Sequence, residues 1–440
     1  MSFVTPLTRM RLPVDIIKGE IKEPQFSREN FWNRTVTQLS ERTDEIATEA
    51  VEEPVVHTVN SIFDQALSEG ATDIHIDAQE EAIRIRFRTD GLLREVLQLP
   101  VTMHASVISR IKVMAGLDIA KKKIPQDGRI QYVRKDKAVD LRVSTLPTLY
   151  GEKCTIRLLD KHQMQLGLED LGFCREAMAQ YRTLTHNTGG MILLTGPTGA
   201  GKTTTLYATV KSLNRGEKNI VTIEDPVEYV LPGVNQVQVC PKAGLDFASG
   251  LRSILRQDPD IILIGEIRDR ETARIAVQAA ITGHLVFSTL HTGDAAEAIG
   301  RLLDMGVEPF QVASAVKGVV AQRLVRKICS RCKTEYIPAK GSEEEEFLCK
   351  EFGIKATLSK GKGCSSCNNT GYRGRTIIQE VMPVNSGLRE LIMAKANMEE
   401  IRKTAIDQGM ENLQIAAIRK ILAGETTVEE YIRVAYMSKD

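Results

Sequence analysis

The sequence predicts an α/β fold: a parallel sheet buried on both faces, with a smaller α/β domain before it and a cysteine-bearing insert and polar helices after it. Three observations carry this prediction. From Gly190 onward, the short apolar runs MILLT, NIVTI, DIILIG and HLVFSTL alternate with helical stretches, which is how strands covered on both sides read. The first run passes directly into glycine-rich GPTGAGKTTT and then into TLYATVKSL, giving strand, turn and helix in succession. Upstream, EAIRIRFRTDGLLREVL sets Ile83, Ile85 and Phe87 against Arg84, Arg86 and Arg88 before Asp90-Gly91, the pattern of a half-buried strand entering a tight hairpin.

In chain order, residues 1–50 are polar with an acidic end and read as an N-terminal tail or docking segment. VVHTVNSIFDQALSEGA then places Val56, Val59, Ile62, Phe63 and Leu67 at the spacing of an amphipathic helix that stops near Gly70, and a small domain, 51–160, begins there. It continues with the arginine-rich hairpin, a helix over about 106–116, and a second hairpin, GRIQYVRKDKAVDLRVSTLP. In the return strand Val139, Leu141 and Val143 share one face, while Asp140, Arg142 and Ser144 share the other. The sheet domain is expected over 161–328, the cysteine segment over 329–380 and a helical segment over 381–440. In the last, Leu388, Leu391 and Ile392, then Leu413, Ala416, Ala417 and Ile421, form apolar stripes, and Gly424 suits a helix stop.

At 440 residues the chain is long enough for several domains, and no apolar run reaches the roughly 20 residues of a membrane-spanning helix. The first twenty residues lack the apolar core of a secretory signal, so the expected location is cytoplasmic. A net charge of +1 supplies no broad basic face for nucleic acid, and direct nucleic-acid binding is not expected. The run Lys121, Lys122, Lys123 reads as a solvated loop.

GPTGAGKTTT matches the phosphate-binding pattern GxxxxGK[ST]. Gly196, Gly199 and Gly201 let backbone N–H groups turn inward around α- and β-phosphates, with Pro197, Thr198 and Ala200 completing the loop. Lys202 sets a charge against the β- and γ-phosphates, Thr203 offers its hydroxyl to Mg²⁺, and Thr204 continues into a helix whose positive end faces the anion. A nucleoside triphosphate with Mg²⁺ is therefore the expected ligand. Turnover needs carboxylates as well, and two apolar strands end in them: DIILIGEIRD in Glu266, and VTIEDPVEY in Glu224, Asp225 and Glu228. A third strand is flanked by His284 and His291.

Two CxxC pairs, Cys329 with Cys332 and Cys364 with Cys367, can close a tetrahedral shell around a structural Zn²⁺. Cys154, Cys174, Cys240 and Cys349 have no such partners and read as buried or incidental thiols.

In this order the motifs resemble one family, the secretion ATPases of type II secretion and type IV pilus assembly. GPTGAGKTTTL looks like that family's Walker A, IEDPVEY its aspartate box, LRSILRQDPDIILIGEIRD its Walker B and TGHLVFSTLHT its histidine box. GATDIHI and QDGRIQYVRKDKAVDLRVSTLPTLYGEK resemble the domain preceding the motor. The resemblance implies a RecA-like ATPase core behind a PAS-like small domain, assembled as a homo-hexamer that drives an inner-membrane platform through cytoplasmic docking proteins. The protein would then sit at the inner membrane through its partners. It also implies Glu224 as catalytic base, Glu266 near magnesium, His284 and His291 as histidine-box positions, and Arg129 and Arg142 as cations reaching the phosphates. Arg256 and Arg301 are weaker candidates of the same kind. The tetracysteine insert resembles the assembly and secretion branch rather than the retraction motors. Two other readings are a RecA-like nucleic-acid translocase or type IV secretion-type ATPase, and a scaffold that binds nucleotide without consuming it.

Overall fold

The computed structural model describes residues 49–134, 137–159, 166–354 and 356–436, so the tail expected over 1–50 lies outside the described residues except for its last two. Helix α1 (Glu49–Ser68) comes first, with Val59, Ile62, Phe63 and Ala66 buried at the expected helical spacing.

The small domain is a six-stranded antiparallel sheet of β1 (Ala71–Ala78), β2 (Ala82–Thr89), β3 (Leu92–Pro100), β4 (Gln126–Arg134), β5 (Lys137–Thr148) and β6 (Gly151–Leu159) in the order β3-β2-β1-β6-β5-β4. The β2–β3 turn is the expected one: Asp90 and Gly91 have φ of 50° and 87°, the left-handed pair that a tight two-residue hairpin requires. Ile83, Ile85 and Phe87, together with Leu141, Val143 and Ile156, form a buried face. Helix α2 (His104–Met114) packs against β4 and β6 and contributes Val107, Ile108 and Ile111 to the buried set. The outward face carries Arg129, Arg142 and Arg157 directly opposite one another across β4, β5 and β6. Like charges in register repel, and Asp73 beside Arg157 (3.3 Å) and Glu228 beside Arg142 (3.1 Å) offset that repulsion.

Helix α3 (Arg175–Thr185) leads into the second sheet, built from β7 (Gly190–Thr195), β8 (Ile220–Glu224), β9 (Asn235–Gln238), β10 (Ile261–Ile264), β11 (Leu285–Leu290), β12 (Val316–Ile328) and β15 (Tyr372–Pro383). The order is β15-β12-β7-β11-β10-β8-β9, parallel throughout except for the β12–β15 pair. Alternate strand residues enter two separate apolar clusters: Met191, Leu193, Ile223, Ile262 and Ile264 on one side, and Ile192, Leu194, Leu263 and Phe287 on the other. That double burial explains the continuous apolar runs. Helices α4 (Lys202–Leu213), α5 (Phe247–Ile254), α6 (Arg270–Ile281), α7 (Ala295–Asp304) and α8 (Pro309–Ala315) connect the strands.

The cysteine segment carries a two-stranded ribbon, β13 (Lys333–Tyr336) with β14 (Leu358–Gly361), and helix α9 (Glu343–Phe352). The boundary placed at 380 falls inside β15, which pairs with β12 from Tyr372 to Pro383 as an edge strand of the large sheet. Arg373, Arg375 and Gln379 interrupt its apolar pattern, so periodicity does not mark it as a sheet strand. The described chain closes with helices α10 (Ser386–Met393), α11 (Met398–Asp407), α12 (Leu413–Leu422) and α13 (Val428–Tyr436). Gly424 ends α12 at φ 65° as a left-handed stop.

Candidate nucleotide site and metal centre

Parallel pairing brings strand ends together. β7 and β11 run in register from Gly190 opposite Leu285 to Thr195 opposite Leu290, so the segments leaving Thr195 and Leu290 meet at one edge. The loop from Gly196 to Gly201 emerges there, with Gly196, Gly199 and Gly201 at φ of 147°, 79° and 85°. A Cβ on Gly196 would lie 2.5 Å from the carbonyl oxygen of Gln322, so only glycine fits. Pro197, Thr198 and Gly199 are exposed at the rim, Ala200 is buried, and Lys202, Thr203 and Thr204 open α4, with Thr203 facing solvent.

Lys202 is buried, and its Nζ donates to the carbonyls of Gly196 (2.6 Å) and Pro197 (3.2 Å), inside the loop. Burial pulls its ammonium down to about 8; Glu266 opposes that shift and Arg323 adds to it. Glu266, just past β10, therefore belongs to the cradle. It pairs with Arg268, and His291 Nε2 lies 3.6 Å from its Oε2. Burial and then Lys202 hold the His291 ring below its usual range, so it is neutral at neutral pH.

Glu224 is placed differently. It is buried at the end of β8, and its carboxylate accepts hydrogen bonds from Tyr207 Oη, from Thr222 Oγ1 (2.6 Å) and from Gln236 Nε2 (3.1 Å). All its described partners are internal, one of them on the flank of α4. The neighbouring Asp225 is exposed and lies within electrostatic reach of Arg268.

Two groups of sequence candidates are not at the cradle. His284 precedes β11, its Nδ1 on the carbonyl of Ala279 (2.9 Å) and its own carbonyl accepting from Gly190 N. The 6 residues of β11 separate it from His291, about 23 Å over the intervening steps at roughly 3.3 Å per residue. The two histidines thus mark opposite ends of one strand. Arg142 turns to the loop after β8, donating to the Val227 carbonyl (2.9 Å) and pairing with Glu228 (3.1 Å). Arg129, opposite it in register, lines with Arg142, Arg157 and Pro226 a cleft of about 400 Å³. Arg256 forms hydrogen bonds to Arg252 O and Ser253 Oγ within its own neighbourhood, and Arg301 lies on α7.

Sequence reading passed over two cradle residues, Gln322 and Arg323, both buried on β12. Arg323 donates to the carbonyls of Gly293 and Gln322, joining the loop after β11 to the cradle strand. A consecutive Gln-Arg pair inside the apolar run GVVAQRLV was the available signal.

The four cysteine sulfurs converge within 4.8 Å of one another. Cys329 to Cys364 is 3.9 Å, Cys332 to Cys367 is 3.8 Å and Cys364 to Cys367 is 3.7 Å. A tetrahedral Zn–S shell with bonds of about 2.3 Å has edges of roughly 3.8 Å, so the donor set fits that ion. Backbone N–H groups of Cys364 (3.2 Å) and Gly371 (3.3 Å) also point at the Cys367 sulfur, as thiolate ligands require.

A glycine-rich loop joining a central parallel strand to a helix, with a strand-end carboxylate beside its lysine, defines a P-loop ATPase with a RecA-like core. The family described as "Type II/IV secretion system protein" matches residues 48–433, and the chain belongs to it. The type IV pilus assembly ATPase PilB of Myxococcus xanthus is 47% identical over 400 residues, covering 89% of this chain and 70% of that protein. The type II secretion system ATPase E of Vibrio cholerae is 47% identical over 381 residues, covering 87% of this chain and 75% of that one. Among solved structures, the ATPase DotB of Yersinia pseudotuberculosis superposes with a TM-score of 0.62 at 20% identity, covering 98% of this chain and 100% of that one, which supports the fold. Among the described residues, no helix is long and apolar enough to cross a membrane.

Proposed function

We propose that the chain is the ATP-hydrolysing motor of a type IV pilus assembly or type II secretion machine, working as a homo-hexamer on an inner-membrane platform from the cytoplasmic side. The observation that carries this reading is the convergence of Lys202, Glu266 and His291 at the loop edge of the large sheet. Gly196 to Thr204 would hold the phosphates of ATP, Lys202 would neutralise the β- and γ-oxygens, and Thr203 and Glu266 would hold Mg²⁺. Bound Mg²⁺ supplies charge stabilisation on the transferring phosphoryl group. Glu224 acts as the base in the sequence reading; here it is a buried carboxylate whose internal hydrogen bonds must open before it meets water. Arg129 and Arg142 reach the phosphates after the small domain moves, which releases Arg142 from Glu228. Zn²⁺ on Cys329, Cys332, Cys364 and Cys367 is structural. The proposed domains are the small PAS-like unit, the RecA-like sheet, the tetracysteine insert and the C-terminal helices, with β15 assigned to the sheet.

The test is steady-state ATPase rate together with nucleotide binding and melting temperature. Lys202→Ala abolishes turnover, and Glu266→Gln keeps ATP binding with turnover down by about two orders of magnitude. Glu224→Gln also loses turnover, and it alone is destabilised, by about 1–3 kcal/mol, and so melts earlier, because an amide cannot accept from all three of its buried donors. Normal turnover in both glutamate variants would refute the reading.

A further inference from the structure

β7 pairs with β12 as far as Thr195 opposite Ala321. At the next residue the two chains part: β7 becomes the loop at Gly196, while β12 continues with Gln322. Gln322 is fully buried. Its Nε2 donates to the carbonyl of Ala200 at 2.7 Å, and its Oε1 accepts from Thr205 Oγ1 at 3.0 Å. One planar amide therefore grips Ala200, the penultimate residue of the loop, and the first turn of α4, with Gly201, Lys202, Thr203 and Thr204 between the two grips.

That bracket has a chemical consequence. In a trans peptide, the carbonyl of one residue and the N–H of the next point in opposite directions. Holding the Ala200 oxygen against Gln322 turns the Gly201 N–H away from β12, toward the interior of the loop. Thr205, held by its hydroxyl, fixes the azimuth of α4 and with it the origin of the Lys202 and Thr203 side chains. A carboxylate at 322 could accept from Thr205 but not donate to Ala200, and an aliphatic side chain could do neither.

We propose that Gln322 is a positioning residue for nucleotide binding, setting the direction of the loop N–H groups without touching the nucleotide. The inference rests on the reading of Gly196 to Thr204 as the phosphate cradle. Loop N–H groups bind the ground state and the transition state alike, so losing their alignment raises KM and leaves saturated turnover in place.

The experiment measures binding of a fluorescent ATP analogue, KM, kcat and thermal midpoint for wild type, Gln322→Leu, Gln322→Glu, Thr205→Val and Lys202→Ala. Both Gln322 variants are expected to weaken binding and raise KM about tenfold or more, with kcat within about threefold of wild type. Thr205→Val, which removes one grip and preserves shape, is expected to raise KM about threefold. An unchanged KM in folded Gln322→Leu overturns the proposal, as does a lowered melting temperature with KM unmoved. If the Gln322 variants do not fold, an unchanged KM in Thr205→Val overturns it alone. Lost binding in Lys202→Ala beside normal binding in the Gln322 variants sinks only the positioning role. Normal binding in Lys202→Ala sinks the cradle reading and the positioning role with it.

Discussion

Lys202 meets two opposing demands. In the proposed cradle it must be cationic to face phosphate, yet its burial pulls the ammonium down to about 8 from an ordinary value of 10.5. Bound phosphates favour the charged form and raise that value again. Below about 8 the lysine carries its proton before and after binding, so affinity is flat with pH. Above it, binding must take up a proton, and the nucleotide Kd is expected to rise by up to about tenfold per pH unit between pH 8 and 10. Lys202→Arg, charged throughout that range, is expected to flatten the slope even if it binds less tightly. A wild-type slope in the arginine variant would show that another group is responsible.

At the scale of elements, β12 and β15 form a paired ribbon that ends at the cysteine module. Ile328 is the last residue of β12, Cys329 comes next, and Cys329 N donates to Gly371 O (2.9 Å) where β15 is about to begin. Arg326 stacks over Tyr372 at 3.9 Å and pairs with buried Glu430 of α13, tying the same end to the last helix. Further along β15, buried Glu380 accepts from Ala295 N, at the start of α7, and from Leu413 N, at the start of α12. Elemental analysis is expected to find about one zinc per chain, and chelation or Cys364→Ser to lower the melting temperature by at least about 5 °C. A metal-free chain that melts normally would remove the metal from the account. The cysteine pairs, the phosphate loop and the Asp90-Gly91 turn were legible in the sequence because each is a local pattern with a local cause. β15, Gln322 and the distance between His284 and His291 were not. Edge pairing of β15 and the reach of Gln322 to Ala200 and Thr205 join residues far apart in the chain. For the histidines, a short motif reads as one place, although a strand carries its two ends to opposite edges of a sheet.

For the whole molecule, the question is how the small domain communicates with the sheet. Contacts that join them include Arg142 with Val227 and Glu228, and Asp90 with Gly374 N (2.8 Å) and Arg375 (3.7 Å). The Arg142 and Glu228 side chains are only 22% and 29% exposed and the Glu228 Oε2 facing the arginine is buried, so desolvation offsets much of their attraction and the net contribution is on the order of 1 kcal/mol. A contact of that size can hold a resting arrangement and still yield to nucleotide. In the proposed motor Arg142 could not pair with Glu228 and reach a phosphate at the same time, so Glu228 would compete with the nucleotide for the arginine. Weakening that competitor by up to about 1 kcal/mol shifts the balance toward free arginine about two- to fivefold. Glu228→Gln is accordingly expected to raise the steady-state ATPase rate by about that factor with little change in melting temperature, whereas Arg142→Ala lowers the rate at least about tenfold. The double variant should behave as Arg142→Ala, because Glu228 acts only through the arginine it holds. A fall in rate with Glu228→Gln, or a double variant faster than Arg142→Ala, would show that Glu228 works on the reaction directly and not as the arginine's restraint.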